Sequence, residues 1–290
     1  MNAIILAAGM SSRFVPLSFE KPKALLKVRG EVLIERQIRQ LREAGINDIV
    51  VVVGYKRELF GYLTKQFGVR LIYNADYARY NNISSVVCAI DYLADTYVCS
   101  SDNYFMENVF LHHPTTSEYA AMFAHGKTGE YCLEVDGEDN IVSVSVGGED
   151  AWYMVGHVFF HSMFSRKFKP IIIEAFLQEE NRQKYWEDIY ISHITDLPKM
   201  KIKRFDDGVI NEFDSLEELR HFDKSYCRSG SDILRYITDA LRCEESQICN
   251  MAIAKNKLTH AFYFDICSKE GRTSYLYYEK EGKCFIENVP

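Results

Sequence analysis

The chain has 290 residues, with 34 Lys and Arg against 41 Asp and Glu, a net charge of −7 and 47% hydrophobic residues. That length holds one large domain plus a small appendage, and the apolar fraction is ample for a packed core. The acidic balance argues against nucleic acid as the main partner, and no apolar run approaches the roughly 20 residues that span a bilayer. The first apolar run, Ala3 to Ala8, has no basic segment before it and is too short for a signal-peptide core. Export and membrane insertion are therefore not expected, and a cytoplasmic location is. The eight Cys form no C-x-x-C pair and the His residues do not cluster at ligand spacing, against a structural zinc site. Cys88 and Cys99 lie in apolar runs and read as small core residues; all eight are expected as reduced thiols.

In chain order, Ala3–Ala8 reads as a fully buried strand of a parallel sheet. Glu31–Ala44 carries Ile34, Ile38 and Leu41 on a helical stripe that Gly45 ends. Asp48–Val53 is a strand, Lys56–Phe67 a helix stopped by Gly68, and Val69–Tyr73 a strand. Ile83–Leu93 reads as a helix and Thr96–Ser100 as a strand. Repeated β-α-β predicts a parallel sheet with helices on both faces, whose ligands bind outside the carboxyl ends of the strands. The middle turns β-rich: Tyr119–His125, Tyr131–Val135, Ile141–Val146 and Trp152–His161, with turns at Asp136-Gly137 and Gly147-Gly148. Helices follow at Phe164–Glu180 and Lys184–Ile194. Strands return at Met200–Arg204 and Val209–Phe213, and Ser215 caps a short helix to Phe222. Pattern is lost at Ser225–Ser231, so the domains are expected at 1–225 and 226–290. In the tail, Ser231 caps a helix bearing Ile233, Leu234, Ile237 and Leu241. Strands follow at Ala261–Cys267, Ser274–Glu279 and Cys284–Glu287. The expected fold class is α/β: a Rossmann-like, mostly parallel central sheet flanked by helices, with a β-rich insertion and a small α+β carboxyl-terminal appendage.

The first thirty residues hold five bases (Arg13, Lys21, Lys23, Lys27, Arg29) and one acid, Glu20. A positive island on an acidic chain points to a small anionic ligand. Leu6, Ala7, Ala8, Gly9, Met10, Ser11, Ser12 and Arg13 form the end of the first strand and its loop. Gly9 lets backbone approach something bulky, and successive N–H groups in such a loop make an anion-binding concavity. Arg13 and Lys23 add full charge beside it, and Pro22 fixes the backbone that aims Lys23. The whole reads as a cradle for a nucleoside triphosphate.

The order A-A-G-x-x-S-R-x-x-P-L-x-x-x-x-P-K-A-L over residues 7–25 resembles the signature of nucleotidyltransferases that activate sugar phosphates and aminoalcohol phosphates. The closer resemblance is to bacterial CTP:phosphocholine cytidylyltransferases and their 2-aminoethylphosphonate-using relatives. It is carried further by Gly45–Tyr55, Tyr80–Ser85, Ser101–Tyr104 and Glu212–Ser215, and covers roughly residues 1 to 225. Ser11 departs from the sugar-activating members, which usually carry Gly there. The resemblance implies a Mg²⁺-dependent transfer between CTP and phosphocholine, giving CDP-choline and pyrophosphate. Lys23 is then the cation at the α-phosphate and Arg13 the partner of the outer phosphates. A preorganised cation of that kind is worth roughly 2.7–4 kcal/mol in the transition state.

Mg²⁺ typically takes one or two protein carboxylates and leaves the rest to water and phosphate. Asp102 and Asp214, each directly after a strand, are the candidates, on the condition that both strands lie in the central sheet. Asn81, Asn82, Ser84 and Ser85 suit the edge of a pyrimidine and equally suit a helix cap. A quaternary ammonium is best held by aromatic faces, each worth about 0.5–2 kcal/mol, with a carboxylate nearby. Candidates are Glu130 with Tyr131, Trp152, and the cluster Tyr185, Trp186, Glu187, Asp188 and Tyr190, with Trp186-Glu187-Asp188 favoured as the cage. Core packing is the competing reading of the same aromatics. Other acceptors left open are 2-aminoethylphosphonate and a sugar 1-phosphate; a regulatory nucleotide-binding pseudoenzyme is the rival of another class. The tail faintly resembles the start of a choline-kinase-like small lobe. That family expects a Gly at Lys257, an Asn at His260 and a base at Tyr278, so no kinase activity is expected. A homodimer contact or an accessory cover is the tail's expected role.

Overall fold

A computed structural model describes residues 1–111, 113–254, 259–269 and 271–289, with backbone alone at Thr259. The elements run β1 (Asn2–Ala7), α1 (Leu17–Glu20), β2 (Lys27–Val28), β3 (Glu31–Val32), α2 (Leu33–Glu43) and β4 (Ile49–Val53). Next come α3 (Gly61–Phe67), β5 (Arg70–Tyr73), α4 (Ile83–Cys88), β6 (Thr96–Ser100) and β7 (Asn103–Phe105). The middle holds β8 (Glu118–Val135), β9 (Ile141–Phe160), α5 (Ser162–Leu177), α6 (Trp186–Ser192), β10 (Lys201–Arg204) and β11 (Ile210–Glu212). Last are α7 (Leu216–Phe222), α8 (Asp232–Leu241), β12 (Ile248–Ile253), β13 (Thr259–Ser268), β14 (Gly271–Lys280) and β15 (Lys283–Val289).

Two compact units divide the chain: Met1–Gly9 with Leu33–Glu212, and Met10–Val32 with Phe213–Pro290. The expected boundary near Ser225 is drawn elsewhere, and the second unit includes an early segment. The first unit is built on a seven-stranded sheet, β10-β8-β9-β6-β1-β4-β5. β6, β1, β4 and β5 are mutually parallel. β9 runs antiparallel to β6, and β8 antiparallel to β9. The sheet's aliphatic strands are buried on both faces, as the continuous run Ile49–Val53 requires. On one face Ile4, Val50, Val52 and Val98 pack with Ile83 and Val86 of α4, Phe164, Phe168 and Ile172 of α5, and Ile189 of α6. α2 buries Leu33, Ile34, Ile38 and Leu41.

Several element boundaries differ from the sequence expectation. Glu31 and Val32 pair with Lys27 and Val28 as a small hairpin before α2 begins. The helices read at Lys56–Phe67 and Ile83–Leu93 each break into a 3₁₀ turn and a shorter α-helix. The insertion is two strands of 18 and 20 residues where four were expected. Their pairing shifts register repeatedly, and Cys132 opposes both Ser145 and Tyr153. Gly147-Gly148 is therefore a bend inside β9 and not a hairpin turn, and a Cβ on Gly148 would meet Cys132 Sγ at 2.8 Å, so that side chain would have to give way.

In the second unit, β12-β13-β14-β15 form an antiparallel sheet. Phe262, Phe264 and Tyr277 are buried, as are Ile233, Leu234 and Ile237 of α8, and Tyr236 meets the Tyr277 ring edge-on at 6.2 Å. Ser231 and Ser215 cap α8 and α7 as expected, accepting from Leu234 N and Glu218 N. Cys249 and Cys267, on the paired strands β12 and β13, form a disulfide, which corrects the expectation that all eight thiols are reduced. Lys257, singled out in the tail, lies outside the described residues.

Candidate functional site

β1 lies between β6 and β4, so its carboxyl end opens where a parallel sheet places its ligands. Leu6 O accepts from Ser101 N at 3.2 Å, and Ala8 O from Tyr55 N at 3.0 Å, fixing the strand end to both neighbours. Gly54 is required there: a Cβ would sit 2.7 Å from Ala8 O and 2.5 Å from Tyr77 Cβ. Gly9 is exposed, and a Cβ on it would meet nothing within 4 Å. Its lack of a side chain thus leaves space outside the protein.

Asp102 follows β6 and is half-buried. Sequence reasoning missed the residues that fix its surroundings. Gln37, buried on α2, donates to Ser100 O at 2.8 Å and to Asn103 O at 3.0 Å. Gln40 reaches Phe105 O and Glu107 O, and Arg36 reaches Phe105 O and Met106 O. One polar edge of α2 thus grips the chain around Asp102 through three side chains, Arg36, Gln37 and Gln40. The available signal was two Gln spaced by three among Ile34, Ile38 and Leu41, which puts amides on a burying face. The condition attached to the two metal candidates fails for one of them. β11, the strand before Asp214, pairs with β7 in a separate two-stranded sheet, Glu212 opposite Asn103.

In the second unit, Ser11 has φ 50°, in the left-handed region. That explains why Gly is the easier residue at this position: a side chain there costs about 1–2 kcal/mol. Arg13 and Asp214 pair at 2.8 Å, with side chains 73% and 39% exposed. Asp214 N donates to Glu218 Oε2 at 2.7 Å, which fixes the backbone at Asp214. Lys23 is buried, 6% exposed, with its ammonium 4.9 Å from the centre of the Phe14 ring. Carboxylate oxygens are the donors a hard cation such as Mg²⁺ takes, and those of Asp214 are engaged with Arg13. Among the described residues no three His, Cys, Asp or Glu side chains group as a metal site.

The polar residues at the start of α4 are tied into the fold. Ser84 and Ser85 are buried, and both hydroxyls accept from Asn74 Nδ2, at 2.9 and 3.0 Å. Asn82 Oδ1 accepts from Trp186 N at 2.8 Å, and Asn82 Nδ2 donates to Glu187 Oε2 at 3.2 Å. Asn81 N donates to Arg182 O and its side chain to Gln183 O. Asn82 ties the start of α4 to α6 and Asn81 ties it to the turn before α6, and Asn82 makes no side-chain cap bond to α4.

α6 supplies two adjacent carboxylates. Glu187, partly buried, also accepts from Tyr119 OH at 3.3 Å. Desolvation pushes its carboxyl up to about 7, against the opposing pull of the Asn82 and Tyr119 hydrogen bonds. Asp188 accepts from Tyr131 OH at 2.7 Å and from Tyr185 N at 2.8 Å. Burial and Asp188 together raise the Tyr131 hydroxyl above its ordinary value. Tyr185 is 45% exposed.

The favoured cage is corrected at its aromatic members. Trp186 is 2% exposed and packs against Tyr119, Phe160 and Phe168 at 5.3–6.1 Å. Tyr190 is likewise buried, beside Phe164. Both rings belong to the core between α5, α6 and the sheet. Trp152 is half-buried against Phe123, with the Arg204 guanidinium 5.4 Å from its ring centre, so a cation already lies over it. Glu130 is exposed on the ribbon. The structure therefore brings together Tyr131, Asp188, Tyr185, Glu187 and Asn82, and leaves Trp186, Tyr190 and Trp152 as packing.

Residues 3–133 match the MobA-like NTP transferase domain. The chain is 34% identical to the choline-phosphate cytidylyltransferase of Streptococcus pneumoniae over 77% of its own length and 97% of that protein's. It is 35% identical to the 2-aminoethylphosphonate cytidylyltransferase of Lancefieldella rimae, over 78% of this chain and 93% of that one. The solved structure of the CTP:phosphocholine cytidylyltransferase from Streptococcus pneumoniae superposes with a TM-score of 0.74 at 34% identity, covering 77% of this chain and 98% of that one.

Proposed function

The chain belongs to the cytidylyltransferase family of these choline-phosphate and 2-aminoethylphosphonate enzymes and is a nucleotidyltransferase; from that premise we propose that it converts CTP and phosphocholine to CDP-choline and pyrophosphate. The observation that carries the acceptor choice is the pair of α6 carboxylates, Glu187 and Asp188, with the Tyr131 hydroxyl on Asp188 and the Tyr119 hydroxyl on Glu187. Negative charge next to aromatic surface suits a cationic head group and offers little to a sugar.

In this reading the acceptor phosphate attacks the α-phosphorus in line. A new P–O bond forms as the bond to pyrophosphate breaks, and no covalent enzyme intermediate is needed. The acceptor is already anionic, so no general base is required. The loop after β1 holds the triphosphate through backbone N–H groups and Arg13. Lys23 offsets charge at the α-phosphate; its burial and the preceding Pro22 keep the ammonium aimed. Asn81 and Asn82, only partly buried, are the polar residues before α4 assigned to the base edge. Asp102 and Asp214 are the carboxylates assigned to Mg²⁺, which when bound supplies charge neutralisation on phosphate oxygens. Dependence on CTP puts the reaction in the cytoplasm.

A second reading is favoured by one observation. Trp186 is core and Trp152 is covered by Arg204, so fewer aromatic faces remain than a quaternary ammonium prefers. Two carboxylates would suit the primary ammonium of 2-aminoethylphosphonate, which donates N–H bonds. Pyrophosphate release with CTP and phosphocholine, 2-aminoethylphosphonate or a sugar 1-phosphate, with and without Mg²⁺, separates the readings. The proposal requires the highest kcat/KM with phosphocholine and loss of turnover on chelation. Preference for a sugar phosphate overturns it.

A further inference from the structure

The second unit joins two stretches nearly two hundred residues apart in the chain, and its polar contacts concentrate on the segment that bears Arg13 and Lys23. Glu20 Oε1 accepts from the Ser231 hydroxyl at 2.6 Å and from Ile233 N at 3.1 Å, while Ser231 Oγ accepts from Leu234 N. A carboxylate from α1 therefore shares the capping of α8, where the helix dipole favours negative charge. Beside it, Phe19 stacks on His260 at 4.9 Å and meets Phe262 edge-on at 6.0 Å. His260 is held by Glu279 at 2.9 Å and sits at φ 46°, a conformation that surrounding contacts must maintain. Downstream, Tyr226 OH donates to Lys27 O at 2.8 Å, and Arg29 N to Asp223 Oδ2 at 2.6 Å. Lys23 thus lies between an anchor three residues before it and another four residues after it. Pro22 fixes one further torsion in that short span.

A domain that merely covered apolar surface would need the Phe19 contact and not the shared cap. The Streptococcus pneumoniae relative aligns almost whole with 77% of this chain, so the chain carries length beyond it. We propose that residues 226–290 are a positioning module for the segment carrying Arg13 and Lys23, with Glu20 and Phe19 as the two points it grips. The functional consequence rests on the role given above to Lys23. Glu20, Ser231 and His260 are then positioning residues: none touches substrate, and each limits where the Lys23 ammonium points.

The test uses the full chain with Ser231→Ala, Glu20→Leu, Glu20→Gln, His260→Ala and His260→Phe. Two readouts are taken: steady-state kinetics of pyrophosphate release, and amide hydrogen exchange at Lys21, Leu25 and Leu26, whose N–H groups bond within the segment. Glu20→Leu and His260→Ala should lower kcat roughly tenfold or more, with the acceptor KM within about twofold, because misplacement of a charged group acts on the transition state. Glu20→Gln, which keeps an acceptor oxygen, and His260→Phe, which keeps the stack, should recover most of the loss. Exchange at the three amides should rise in the damaged variants and not in the rescued ones. Ser231→Ala in a Glu20→Leu background should lower kcat little further, because the contact to the Lys23 segment is already gone, although α8 also loses its cap from Leu234 N. The proposal is overturned if kcat and local exchange stay at wild-type values, or if exchange rises equally in all elements. Should the wild-type chain release no pyrophosphate with any acceptor, the enzymatic reading fails, while exchange still decides whether the grip exists.

Discussion

Glu187 gives the sharpest test of the acceptor site. Its carboxyl is pushed up to about 7 by desolvation, from an ordinary value of 4.5. A raised acid binds its proton more tightly when folded, so any stability it contributes is present at low pH and is lost as pH rises from 4.5 towards 7. Binding of a cationic acceptor has the opposite sign, because it needs the ionised form and is lost as pH falls. A group titrating near 7 is about one tenth ionised at pH 6 and about nine tenths at pH 8. The kcat/KM for a cationic acceptor should therefore rise about ninefold across that interval from this group alone. An acceptor phosphate also sheds a proton near pH 6, which adds to the slope in any variant. The informative quantity is the ratio of wild type to Glu187→Gln at each pH. That ratio should climb about ninefold between pH 6 and pH 8 and level off above. At pH 8 the variant should lie about 10- to 100-fold below wild type, the value of a hydrogen bond to a charged group, about 1.5–3 kcal/mol. Pyrophosphate release at subsaturating acceptor and saturating CTP measures it. A ratio that is flat with pH would show that Glu187 does not meet the acceptor's charge.

Trp186→Ala should lower folding stability by about 3–5 kcal/mol in a denaturant titration, with the order of preference among acceptors unchanged, since the ring fills core. Arg13→Ala removes an exposed ion pair worth under about 1 kcal/mol, so its thermal midpoint should stay near wild type while the KM for CTP rises. Ser11→Gly relieves a left-handed side chain and should be neutral to about 1 kcal/mol stabilising by the same titration. Gln37→Leu should cost about 1–3 kcal/mol through the two carbonyls it leaves, and should lower kcat through the chain around Asp102.

The parallel half of the fold was legible because Ile49–Val53 and Ala3–Ala7 have no polar residue to allow an exposed face. The ribbon was harder. Glycines at 147 and 148 mark both hairpin turns and bends, and only the pairing of β9 with β8 through them decides between the two. The loop motif located Arg13 and Lys23, yet the Arg13–Asp214 pair joins residues 201 positions apart and has no local signal. Trp186 shows the limit of reading aromatic–acid neighbours: on a helix, residues 186, 187 and 188 point about 100° apart, so the ring enters the core while the carboxylates turn towards other partners. The polar residues at the start of α4 suited a base edge or a cap in the sequence, and their partners, Asn74 and α6, could be known only from the fold.

Tyr131 stands on the long hairpin formed by β8 and β9, while the residues that begin the phosphate loop end β1. Hairpin strands satisfy each other's backbone groups, so their outer part can lengthen, shorten or bend without disturbing the four parallel strands. Selection could therefore retune which small cation is accepted by editing a self-contained arm, leaving the machinery for the common nucleotide untouched. A fold divided in that way would readily give rise to sister enzymes that share a donor and differ in what they decorate.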